Sequence, residues 1–495
     1  MWSFRCILML KSIIKYTALF FAFIFAVVLC FYLYLISGST KQGDITWHSC
    51  YRPAYLSWFV LPPSPRLQCA TVDVPVDYTK PNGKTFAIPL TRLPAKGNPI
   101  GELLLLNGGP GGHSLDMSMT LFDEYGQTVK DNFNVLGYAP RGVAPSTPAI
   151  DCGGVDETDE QGNTNAKAYM DACIQHTGAD ILPFISSKEV VKDLDSIRTQ
   201  LGVDVWSMVG YSYGTKLVAK YAEYYPTRLR AGVADGVVDT SETLFTILKN
   251  QYKGSQIAFD AFIKTCQDHC IFDKSQDPST AFINKLAEIS AKNLTDKNGD
   301  KIDSQSILAI INENINDSTY WADMMTMLGE LDRGETGEFN TQLLISEFGE
   351  KGFSKDALSL INCADSAPKL SRDEYIKQAK IIDEQARYDD IKKRSDDDYL
   401  DACYYWQWQA TDDLDENLIT NDTPNLLFVA QKYDLATPLA NAVNMAKRFD
   451  DTLIYTPNHG HTVSLSGMNA CVDGYVVKYL LDPKMTFDKK VILCE

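Results

Sequence analysis

The chain predicts an α/β protein: a mostly parallel sheet flanked by helices, carrying one large, mainly helical insertion. Three observations predict it. Short apolar runs alternate with helical patterns in both the first and the last parts of the chain. A glycine-rich turn, Gly210-Tyr211-Ser212-Tyr213-Gly214, joins one such run to a helix. Between about Thr240 and Thr423 the chain is rich in helix formers, sparse in Gly and Pro, and shows no clear strand.

The strands follow in order. Ala70–Val76 and Phe86–Leu93 alternate like the arms of a hairpin. Glu102–Leu106 and Phe133–Tyr138 are short apolar runs. Asp204–Val209 leads into Ser212, and Ala231–Asp235 follows the helix after it. Asn425–Ala430 and Thr452–Thr456 come after the insertion. The expected organisation is an N-terminal segment over 1–43, a first core part over 44–240, a helical lid over 241–422, and a second core part over 423–495. Following Asp235, the lid would stand over the carboxyl edge of the sheet, where open α/β sheets bind ligands.

The composition fits a packed globular chain of 495 residues, with 45% hydrophobic and 11% aromatic residues. The net charge of −18 and the lack of a Lys/Arg-rich patch argue against nucleic acid as a partner. Arg5, Lys11 and Lys15 precede an uncharged run from Tyr16 to Ser37, long enough to span a bilayer. The expectation is a signal anchor with the body exported and the membrane as a partner; a cleaved signal peptide is the alternative. Of the twelve cysteines, those beyond Cys6 and Cys30 are even in number, as disulfides in an exported protein require. Cys266 and Cys270 have ligand-like spacing, but no second pair follows at a zinc interval. The stretch Asp296–Asp303 resembles a calcium loop but has Lys301 at its sixth position and Ile307 at its twelfth, so it reads as a solvated Asn-Gly turn. No metal and no cofactor is expected.

A Gly-x-Ser-x-Gly turn between strand and helix exposes a serine hydroxyl as a nucleophile. Such a nucleophile needs a base, an acid that orients the base, and donors for an oxyanion. Of the six histidines, only His459 and His461 follow the last expected strand, and His461 is the proposed base. Asp434, after the previous strand, is the acid. The amides of Tyr213 and of Gly109, in Asn107-Gly108-Gly109-Pro110-Gly111-Gly112, are the oxyanion donors. No Gly-Lys-Ser/Thr follows these glycines, so they do not read as a phosphate cradle.

These segments, with Tyr138-Ala139-Pro140-Arg141-Gly142-Val143, Asp235-Gly236-Val237-Val238-Asp239 and Gly460-His461-Thr462, resemble the tripeptidyl aminopeptidase and prolyl iminopeptidase branch of the α/β-hydrolases. The region from Asp434 to Cys494 is similar to that family's tripeptidyl-aminopeptidase-type C-terminal part, and its Gly-His-Thr favours His461 over His459. Asn107 stands where many members have histidine, and Ala139 stands where an aspartate is usual. The resemblance implies an aminopeptidase acting on peptides with a free N-terminus; an exported carboxylesterase or lipase with the same triad is the rival. An α-ammonium needs an anionic clamp, for which Asp365 is the candidate. Arg141 is expected to brace loops rather than to react. Tyr404, Tyr405, Trp406 and Trp408 would either line a pocket or pack the lid.

Overall fold

The computed structural model describes residues 20–27, 29–30, 33 and 37–495, except 159–163, 267–270, 274, 350–351, 392–393 and 412–417. Its centre is an 11-stranded sheet in the order β1-β2-β3-β4-β6-β5-β7-β8-β9-β10-β11. The strands are β1 (Ser39–Gln42), β2 (Ile45–Ser49), β3 (Gln68–Pro75), β4 (Thr85–Leu93), β5 (Gly101–Leu106), β6 (Phe133–Tyr138), β7 (Trp206–Tyr211), β8 (Leu229–Asp235), β9 (Leu426–Gln431), β10 (Thr452–Thr456) and β11 (Val491–Leu493). The pairs from β1 to β4, and β4 with β6, are antiparallel; every pair from β6 to β11 is parallel. This is the α/β-hydrolase arrangement expected above. The short strands β1 and β11 form its two edges.

Burial on both faces explains the leucine run of β5. Leu103 and Leu105 join a core under the helices Glu124–Asn132 and Ala470–Leu481. Leu104 and Leu106 point the other way, into a core shared with the helices Ser187–Leu201, Tyr213–Tyr224 and Leu439–Phe449. A strand covered on both sides has no solvent face and so no alternation to read.

Between β8 and β9 lie helices from Leu244–Thr265 to Arg372–Asp383. They form the large helical insertion, or lid. It has a core of its own around Phe259, Phe262, Phe282, Ile311, Met324 and Leu331. One of its helices, Lys355–Ser366, is fixed to the rest of the molecule: Asp356 accepts from the Cys152 amide at 3.1 Å and from the Tyr169 hydroxyl at 3.0 Å. Trp406 packs against Trp408 and Tyr404 against Tyr405, with ring centroids 4.8 and 5.0 Å apart. Disulfides join Cys50–Cys69, Cys152–Cys173, Cys363–Cys403 and Cys471–Cys494, and Cys266 is also disulfide-bonded. The Asp296–Asp303 stretch is a tight turn in which the Asp296 side chain accepts from the Asn298 and Asp300 amides.

The N-terminal expectation is corrected. Arg5, Lys11, Lys15 and much of the Tyr16–Ser37 run lie outside the described residues. Among the described residues, no helix is long and apolar enough to cross a membrane. This overturns the membrane-spanning signal anchor, the membrane as a partner and the membrane-anchored location.

Arg141 is 0% exposed. Its guanidinium grips both oxygens of Asp193 and donates to the carbonyls of Val76 (3.1 Å), Phe184 (2.7 Å) and Pro75 (3.0 Å). It braces three segments and touches no reacting group. Arg141→Met strands Asp193 as an unpaired buried charge and should cost about 3–5 kcal/mol. The urea midpoint should fall accordingly, and adding Asp193→Asn should recover much of the loss.

Candidate active site

β7 ends at Tyr211 and the helix Tyr213–Tyr224 begins two residues later. Ser212 between them holds φ 54° and ψ −121°, a region that costs a residue with a side chain of order 1–3 kcal/mol. The neighbours enforce it. The Ser212 amide donates to the Asp235 carbonyl at 2.9 Å, and a Cβ on Gly214 would sit 2.5 Å from the Leu106 carbonyl oxygen. Only glycine lets the turn close against the end of β5.

Asp434 follows β9 and His461 follows β10. They meet through His461 Nδ1 and Asp434 Oδ2 at 2.7 Å. Asp434 also accepts from the Ala436 and Thr437 amides, both at 2.9 Å, and from the Thr437 hydroxyl at 2.8 Å. The acid is thereby fixed in place and its side chain is 0% exposed, while 24% of the His461 side chain stays accessible. Burial works against a charged imidazole, but the Asp434 carboxylate, by charge and by hydrogen bond, and the Asp235 charge outweigh it. The His461 pKa is therefore raised. Among the described residues Ser212 Oγ makes no hydrogen bond to the imidazole; such bonds often form only when substrate is bound. The neighbourhood of the two is nevertheless set, because Gly236, next to the Asp235 carbonyl that holds Ser212, lies against His461 Cε1.

His459 is elsewhere. Its ring stacks on Tyr433 at 4.4 Å and meets Trp321 edge-on at 5.2 Å, and burial lowers its pKa.

The loop after β5 runs directly against the serine, with Gly108 placed so that a Cβ would lie 2.9 Å from Ser212 Cβ. Asn107 closes this loop on itself. Its Oδ1 accepts from the Gly108 amide and its Nδ2 donates to the His113 carbonyl, both at 2.8 Å. That is what an asparagine offers at a position where the resembling family often has histidine. The Gly109 amide donates to no acceptor among the described residues. The Tyr213 amide opens the helix immediately after Ser212.

Asp365 departs from expectation. It is 1% exposed. One oxygen accepts from the Ser187 amide at 2.6 Å; the other takes the Lys216 ammonium at 2.8 Å and the Ser187 hydroxyl. Both oxygens are occupied, so Asp365 pins the lid to the core and has no room for a substrate ammonium. The sequence reading also gave no role to Asp235, whose carboxylate binds the loop that carries His461.

A serine on a strained strand-to-helix turn, with a paired histidine and aspartate on the next carboxyl-edge loops, is a serine-hydrolase-type site on an α/β-hydrolase sheet. Residues 102–281 match the family described as the alpha/beta hydrolase fold, and residues 391–491 match the one described as TAP-like protein. The chain is 33% identical to "Putative hydrolase YuaR" of Escherichia coli (strain K12), covering 94% of this chain and 95% of that protein. It is 29% identical to "Serine protease Hip1" of Mycobacterium tuberculosis, covering 83% and 85%. It is 27% identical to "Carboxylesterase B" of the same species, covering 84% of each chain. The chain belongs to the α/β-hydrolase superfamily and carries a TAP-like C-terminal region.

A Cβ on Gly236, where φ is +68°, would lie 3.0 Å from His461 Cε1, 2.9 Å from Thr462 Cγ2 and 3.2 Å from Thr437 Oγ1. Gly236→Ala should displace the imidazole and lower kcat on any substrate by about 100-fold, the scale of a misplacement near 1 Å. Steady-state kinetics on a simple activated ester, with circular dichroism to confirm folding, checks this.

Proposed function

We propose that this protein is an aminopeptidase that hydrolyses peptides with a free N-terminus through an acyl-enzyme on Ser212. Ser212 Oγ attacks the scissile carbonyl carbon and its proton passes to His461 Nε2. Asp434 holds the ring by Nδ1 and stabilises the imidazolium. The amides of Gly109 and Tyr213 receive the oxyanion. His461 then returns the proton to the leaving amine as the C–N bond breaks. Water attacks the resulting ester by the same route in reverse and releases the N-terminal fragment.

The observation that carries the hydrolase part is the 2.7 Å His461–Asp434 contact on the loops beside the Ser212 turn. The peptidase part is supported by the TAP-like match over 391–491 and by the relative named as a serine protease. Ester hydrolysis by the same triad is the second reading, favoured by the relative named as a carboxylesterase.

Three measurements test this. A fluorophosphonate should label the wild type and not Ser212→Ala; a wild type that stays unlabelled removes the serine mechanism. A tripeptidyl anilide with a free amine should be cleaved at least about 30-fold faster, in kcat/KM, than its N-acetylated form, since a desolvated charged contact of about 2–5 kcal/mol is lost. Equal rates would favour the esterase. The acid limb of kcat/KM should have its midpoint above about 6.5, the ordinary histidine value, because the neutral imidazole is the base and its pKa is raised.

A further inference from the structure

The loop that carries His461 is strained. Thr462 and Leu465 hold φ values of 61° and 58°, which side chains adopt only when the surroundings impose it. Two buried carboxylates impose it. Asp473, on the helix Ala470–Leu481, accepts from the amides of Leu465 at 2.5 Å and Gly467 at 3.0 Å. Asp235, at the end of β8 and 0% exposed, accepts through Oδ2 from the amides of Val463 at 2.7 Å and Ser464 at 2.6 Å. The carbonyl of the same Asp235 accepts from the Ser212 amide at 2.9 Å. One residue therefore grips the main chain of the serine and the main chain behind the histidine.

A carboxylate is a costly group to place there. Two amide donors can be met by a neutral oxygen without burying a charge. Asp235 Oδ1, moreover, is buried with no hydrogen-bond partner among the described residues. The imidazole on the loop it holds is the cation that bears on this carboxyl group.

We propose that Asp235 is a positioning residue of the hydrolytic site that fixes the histidine loop and, as a second carboxylate behind Asp434, stabilises the His461 imidazolium formed in the transition state. This rests on the triad reading above. The groups around the loop are few. Asp434 and the Thr437 hydroxyl face His461 Nδ1 from the acid loop, at 2.7 and 3.3 Å. Tyr211 donates from β7 to the Ser464 carbonyl at 3.2 Å. Asp473 holds the far end of the loop, its pKa pushed up to about 6 by burial, with Asp123 also acting on it. His459 is stacked on Tyr433. Burial pushes the Asp235 pKa upward, and the Ser464 and Val463 amides, the nearby Ser464 hydroxyl and His461 oppose this; Asp235 and Asp434 are the charges that bear on His461.

Asp235→Asn keeps an oxygen for the two amides and removes the charge, so it separates holding from charging. The pH dependence of Ser212 labelling by a fluorophosphonate reads the result. The midpoint in Asp235→Asn should fall by roughly 0.5–1 pH unit, with a plateau rate about 10-fold lower. Asp235→Glu, which retains the charge, should keep the midpoint near that of the wild type. A purely structural Asp235, or one that is neutral, would leave the Asn midpoint unchanged even if the melting temperature fell, and that result overturns the proposal. Should the wild type not label at all, the triad reading fails by itself, and the His461 ring-carbon NMR titration judges Asp235 separately by the same shift. Should Asp235→Asn not fold, the titration of His461 in Asp434→Asn decides. A midpoint near or above the ordinary histidine value supports a charge on Asp235, and one well below it contradicts it.

Discussion

The main chain around Ser212 is packed so tightly that three loops have almost no freedom. The serine is held in an unfavourable conformation by the Asp235 carbonyl on one side and by the ends of β5 and its glycine loop on the other. Each neighbour in turn leads to a working part. The glycine loop presents the Gly109 amide. Asp235 continues into Gly236, against which the His461 ring rests. The strain at Ser212 is thus the point at which the proposed nucleophile, oxyanion donors and base are brought to one edge.

The lid adds a second constraint. It has its own hydrophobic core, against which Leu435 of the acid loop also packs. Yet the helix Lys355–Ser366 is tied down at both ends. The Ser354 amide at its start donates to the Gly111 carbonyl at 3.0 Å, on the loop that carries Gly109. Asp365 at its end pairs with Lys216, one turn into the helix that follows Ser212. The same helix therefore spans from the oxyanion loop to the nucleophile helix. In this arrangement the insertion is part of the site's frame rather than a loose cover, and movement of that helix would be felt by both.

Much of this was legible in the sequence, for physical reasons that also mark where legibility stops. Phe133–Tyr138 and Thr452–Thr456 carry their bounds in their apolar runs, and β7 announces itself by running into the Gly-x-Ser-x-Gly turn. β1 has an almost wholly exposed face, and β11 is three residues long, so neither leaves a pattern to read. Chain order limited the proposed base to His459 or His461, but only packing shows that one ring sits in an aromatic stack and the other faces Asp434. Asp365 looked like a free lid acid because its partners, Ser187 and Lys216, lie 178 and 149 residues away. Asp235 had no visible role for the same reason, since the amides it holds are 228 and 229 residues away. A buried carboxylate is defined by what surrounds it, and that is set by the fold rather than by local spacing. The N-terminal run misled in the opposite way, through composition: apolar length alone reads as a membrane span.

The central claim is that Ser212, His461, Asp434 and the amides of Gly109 and Tyr213 form one hydrolytic unit. A crystal structure of the protein inhibited by a peptidyl boronic acid or phosphonate tests it most directly. The account predicts a covalent bond from Ser212 Oγ, His461 Nε2 within hydrogen-bond reach of the adduct, and one adduct oxygen about 2.7–3.1 Å from both amides. An adduct on another side chain, or one whose oxygen turns away from Gly109 and Tyr213 while His461 stays out of reach, would contradict it.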